Sequence, residues 1–88
     1  MNWYKIAQGL DGQLVAGFSE YGAHFVVFKV GDKYYKYQMS FADWISKVKA
    51  MAKHSQGKAL SWAKKHASNA WEVTDDFYQP GSIVRDIE

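Results

Sequence analysis

Histidine is the side chain that ordinarily titrates near neutral pH, so His24, His54 and His66 are the first candidates for acid–base or metal chemistry. The chain has no cysteine and no His-Glu-x-x-His run, and no two histidines share a helix face at ligand spacing. His24 falls opposite Met39 on an apolar strand face, the place of a structural histidine, and His54 ends a helix, where a cation complements the helix dipole. Asp75-Asp76 is a carboxylate pair, but sequence neighbours do not by themselves converge on one bond or ion. The serines lack a Gly-x-Ser-x-Gly elbow. Ser55-Gln56-Gly57-Lys58 places free N–H groups and a lysine at a helix start, yet lacks the first glycine and the loop of a phosphate-binding P-loop. No catalytic residue, metal or cofactor is expected.

The lysines give the positive signal. From Trp44 to Trp71 there are six, Lys47, Lys49, Lys53, Lys58, Lys64 and Lys65, and no acid. Plotted on a helix, Lys58, Trp62 and Lys65 share the side opposite the apolar stripe, with His66 beside them. Tryptophan among lysines stacks on a base or anchors a protein interface, while the lysines meet phosphate or carboxylate. Phe25, Tyr34 and Lys36 form a second mixed aromatic and basic group on a strand face. Arg85 is the sole arginine, which disfavours bidentate recognition of bases or phosphates.

The chain's formal charge of +2 conceals a division. Residues 1–71 carry ten lysines and four acids, a balance of +6, and residues 72–88 carry one arginine and five acids, a balance of −4. A hydrophobic share of 48% is far above that of a disordered chain, and 88 residues suffice for one core. Without cysteine the domain must hold by packing alone. No apolar run reaches the roughly 18 residues that span a bilayer, and Met1–Gln8 does not read as a signal peptide, so a cytoplasmic protein is expected.

The elements that must position these residues begin with a hairpin. Gly31-Asp32 sits between alternating runs and sets Val30, Phe28, Val26 and His24 opposite Lys33, Tyr35, Tyr37 and Met39 on a core face. Phe25, Val27, Lys29, Tyr34, Lys36 and Gln38 fall on the other, partly solvated face. Asp11-Gly12 predicts an earlier hairpin, Glu20–Ala23 turns the chain back, and Gly17 marks a bulge or close approach. At Ser40 the period changes to 3.6. Ser40 and Asp43 read as a capping pair, followed by the stripe Phe41, Trp44, Ile45, Val48, Met51 and Ala52. After the break at Ser55-Gln56-Gly57, a second helix is predicted from Lys58 to Trp71, with the stripe Ala59, Leu60, Ala63, Ala67, Ala70 and Trp71.

Tyr35-x-Tyr37 leading into a helix at Ser40, then Ser55-x-Gly57, resembles the KTSC family of small domains over about a third of the chain. The chain has Ser40 where that family carries proline, and Ala59-Leu60 where it carries an aromatic residue and asparagine. The resemblance implies a β-hairpin feeding a helix and carries over no functional residue.

The expected architecture is α+β: an antiparallel meander of three or four strands and two packed helices in residues 1–71, with an acidic C-terminal extension, 72–88, that docks or stays free. The expected function is a non-enzymatic binding module. Its surface comprises Lys47, Lys49, Lys53, Lys58, Trp62, Lys65 and His66 with Phe25, Tyr34 and Lys36. Its partner is a protein with an acidic or nucleic-acid-binding surface; by analogy, compact cysteine-free chains of this kind include phage or mobile-element inhibitors. The alternative is direct binding of nucleic acid or a nucleotide by the same lysines. Glu72, Asp75 and Asp76 would screen those lysines if they folded over them.

Overall fold

The computed structural model describes residues 2–5, 13–20, 23–77, 79 and 81–87. Among the described residues, six strands form one antiparallel sheet in sequence order: β1 (Asn2–Lys5), β2 (Gln13–Glu20), β3 (Ala23–Val30), β4 (Lys33–Ser40), β5 (Asn69–Val73) and β6 (Ile83–Asp86). Between β4 and β5 the chain leaves the sheet as two helices that cover one of its faces. The α+β class is therefore observed.

The β3–β4 pairing matches the sequence expectation residue for residue, with Val30 opposite Lys33, Phe28 opposite Tyr35, Val26 opposite Tyr37 and His24 opposite Met39. Gly31 holds φ +66°, the left-handed conformation that a tight hairpin demands and that glycine adopts without a Cβ penalty. The Asp11-Gly12 turn lies outside the described residues, as do Tyr21 and Gly22, although Glu20 pairs with Ala23 across the latter. Gly17 pairs regularly with Val26; the register shift in β2 falls instead between Leu14 and Ala16. Both residues are buried, so the shift turns Leu14 to the helix side and Ala16 to the reverse face.

Helix α1 spans residues 41–54: an opening α turn at Phe41–Asp43, a π-helical turn at Trp44–Val48 and a closing α segment at Lys49–His54. Its cap is as expected, the Asp43 backbone N–H donating to Ser40 Oγ at 3.1 Å. The stripe is not. Trp44 and Val48 are buried, but Phe41 and Ile45 remain 50% and 43% exposed. A π turn closes i→i+5 and takes more residues per turn than an α turn. The inward line therefore runs through Trp44 and Val48, and Phe41 and Ile45 are rotated to the shoulder.

Helix α2 is Gln56–His66, capped by Ser55 Oγ, which accepts from the Lys58 N–H at 3.3 Å. Buried Ala59, Leu60 and Ala63 face the sheet, and the two alanines let the helix lie close to it. The predicted continuation to Trp71 is incorrect. Beyond Ala67, the Ser68 N–H donates to the Gln38 carbonyl at 3.0 Å and the Asn69 amide donates to Gln38 Oε1 at 3.0 Å. Serine and asparagine are poor helix formers, and the outer edge of β4 offers backbone groups that need partners, so the chain enters β5 instead.

Of the two arrangements left open for residues 72–88, the described residues take the docked one. Glu72 and Val73 belong to β5, Phe77 is buried, Ile83–Asp86 form β6, and the Ile87 N–H donates to the Ala70 carbonyl at 3.0 Å. The main core lies between sheet and helices, built from Leu14, Val26, Phe28, Tyr37, Trp44 and Val48 among others. A second, smaller cluster of Val15, Ala16, Val27, Val73 and Phe77 occupies the reverse face, which is therefore more buried than its alternating pattern suggests.

Candidate functional site

The expected binding residues separate into two groups on opposite sides of the sheet. Phe25, Tyr34 and Lys36 lie on the reverse face, away from the helices. There the Lys36 ammonium sits 4.8 Å from the Phe25 ring centroid and 5.8 Å from that of Trp71. Lys29 lies 5.9 Å from the Tyr34 ring, which packs on Phe77 at 5.5 Å. Trp71, expected on a helix, is thus part of this reverse-face cluster. All of these aromatic rings are at least half-buried. They extend the second core, and they do not join the helical lysines in one surface.

The helical group is brought together more closely than the sequence alone indicates. Lys58, Trp62 and Lys65 project from successive turns of α2, at spacings of four and three residues that place them on one side of a helix. Met51 from α1 and the capping residue Ser55 approach the same side. These residues, with Gly57 and Ser61, line an open groove of ≈ 610 Å³. Gly57 and Ser61 are small, which leaves the groove open beside the indole. Trp62 is half-buried: one margin packs on the core, and His66 packs against the ring with centroids 4.4 Å apart and planes inclined by 31°. The tryptophan therefore stands at the groove, neither in the core nor wholly in water.

Charge makes the groove distinctive. Among the described residues, the ion pairs run from Glu72 to Lys33 (4.0 Å) and to Arg85 (3.2 Å), and none reaches a helical lysine. Screening of the lysine face by Glu72, which required the C-terminal segment to fold over it, is not seen: its carboxylate pairs with Lys33 and Arg85 at the sheet. Asp76 accepts from the Thr74 hydroxyl within its own turn. Lys47, Lys49 and Lys53 lie exposed along α1 beyond its one acid, Asp43, and add positive potential. A second hollow of ≈ 400 Å³ near Lys29 and Lys33 also contains Asp32, Glu72 and Asp75, and its mixed signs select no ligand charge.

The three histidines occupy separate elements. His24 is fully buried in β3, stacked on Trp44 at 4.7 Å and 14°, with Phe41 edge-on at 5.6 Å. Desolvation lowers its pKa from 6.5 to about 4, so it is neutral at physiological pH. His54 ends α1 exposed, and His66 belongs to the Trp62 stack. Among the described residues, no three of His, Cys, Asp and Glu come together as a metal-ligand set. No helix among them is long and apolar enough to cross a membrane.

The groove residues that the sequence does not assign to binding are Met51, Ser55, Gly57 and Ser61. Met51 reads as core, and Ser55 and Gly57 as a helix break or a weak phosphate cradle; the contact between α1 and α2 brings Met51 and Ser55 into one groove with Trp62. Comparison of the chain with protein-family models, with curated proteins and with solved structures finds no match.

Proposed function

We propose that this chain is a small non-enzymatic binding module that docks a protein partner through the groove along α2. The supporting observation is Trp62, packed against His66 and set between Lys58 and Lys65 in a groove whose described lining residues include no acid. An aromatic anchor at the centre with cations at the rim is the arrangement in which a few residues supply most of an interface's energy and the rim supplies attraction and orientation. The matching partner surface carries carboxylates around an apolar element. The groove's cations are lysines and not arginines, which favours carboxylates dispersed on a protein over bidentate recognition of nucleic acid.

Affinity capture from nuclease-treated lysate tests this reading with the wild type, Trp62→Ala and Lys65→Glu. A protein retained by the wild type and lost with both variants supports it. Material lost on nuclease treatment would instead assign the lysines to nucleic acid.

A further inference from the structure

Resting on the reading of the groove as a protein-docking surface, we infer that its occupant is an extended acidic segment of the partner with one apolar anchor between two carboxylates. The geometry of α2 defines that spacing. Lys58 and Lys65 are seven residues apart, which at about 1.5 Å per residue separates their backbones by ~10 Å along the helix. Trp62 stands between them.

In an extended chain, residues i, i+2 and i+4 point to one side, and i to i+4 spans ~13 Å at about 3.3 Å per residue. The lysine side chains are long enough to splay outward over the difference. An acid–x–apolar–x–acid segment therefore presents its central side chain to Trp62 and Met51 while its outer carboxylates meet Lys58 and Lys65. The groove's ≈ 610 Å³ accommodates a few side chains of such a segment. Gly57 and Ser61 leave the approach to the indole low, so a backbone passes without a steric barrier. Desolvating the anchor against Trp62 supplies affinity, and the two lysines set register and speed of encounter.

The test is fluorescence anisotropy with the full chain and labelled synthetic peptides in a Gly/Ser background. One peptide contains Glu-Ser-Phe-Ser-Glu; a second moves the Phe by one residue, to the opposite side of the extended chain; a third is polyglutamate. The inference predicts that the first binds at least about tenfold more tightly than the other two, and that Lys58→Glu/Lys65→Glu abolishes the difference. Both lysines are exposed, so this variant keeps the fold, which circular dichroism verifies. Equal affinity for the three peptides, or no binding of the first, would overturn the inference. Such a failure is separable from failure of the docking reading itself, because capture of a partner that is lost with Trp62→Ala and Lys65→Glu would still locate an interface here.

Discussion

The imidazole of His24 lies 4.7 Å from the indole of Trp44 and within 14° of parallel to it, fastening the start of α1 to the middle of the sheet. The contact depends on a neutral ring, because burial disfavours the imidazolium and brings the pKa from 6.5 to about 4. An unfolded chain binds a proton at His24 in that interval and the folded chain does not, so stability is complete above pH 6.5 and falls as pH drops towards 4. At about 1.4 kcal/mol per pKa unit the loss approaches ~3 kcal/mol. Urea titrations at pH 7 and pH 4.5 should show it, and His24→Phe should remove that part of the acid sensitivity. A wild-type midpoint equal at both values would contradict the assignment.

Two glycines respond oppositely to alanine. Gly31 has φ +66° and open space around the position of a Cβ, so Gly31→Ala pays only for backbone conformation, costing about 1 kcal/mol. Gly57 has no such φ, and a Cβ there would meet only Ser55 Oγ, at 3.8 Å. In the first turn of α2, Gly57→Ala should stabilise by about 0.5 kcal/mol. Thermal melting of the pair gives both signs.

Ser40 and Ser55 each satisfy a backbone N–H at a helix start, those of Asp43 and Lys58. Alanine at either position should cost about 1 kcal/mol by denaturant titration. Ser55→Ala should in addition loosen the wall of the groove and weaken partner binding, whereas Ser40→Ala should not.

Local signals were legible in the sequence and non-local ones were not. The Gly31 turn fixes the β3–β4 register by alternation, and Ser40 marks the start of α1; both involve neighbours along the chain. The π turn at Trp44–Val48 leaves no periodic signature, so Phe41 and Ile45 read as core although they face outward. Ala67, Ala70 and Trp71 continue a helical stripe on paper. Only the unpaired edge of β4, distant in sequence, converts Asn69–Val73 into a strand. Of the candidate site, the triad Lys58, Trp62 and Lys65 followed from helical spacing. Its separation from Phe25, Tyr34 and Lys36 required knowing which face of the sheet the helices cover.

The described part of the C-terminal segment packs into the domain, the docked one of the two arrangements that the sequence left open. Phe77 is buried against Tyr34 and completes the reverse-face cluster. Phe77→Ala should cost about 3 kcal/mol or more, and deletion of residues 72–88 should destabilise the domain further, since it removes the last two residues of β5 and all of β6. Glu72→Gln should cost less than about 1 kcal/mol, its partners Lys33 and Arg85 being well exposed. Chemical denaturation of the three variants ranks them.

The central claim is that binding belongs to the α2 groove and not to the aromatic face on the other side of the sheet. The dissociation constant of a captured partner, measured by calorimetry for the wild type, Trp62→Ala, Lys58→Glu/Lys65→Glu and Lys36→Gln, compares the two directly. The groove variants should weaken binding by about tenfold or more, while Lys36→Gln stays within about twofold. Full affinity in the groove variants together with loss in Lys36→Gln would contradict the account and transfer the interface to the sheet.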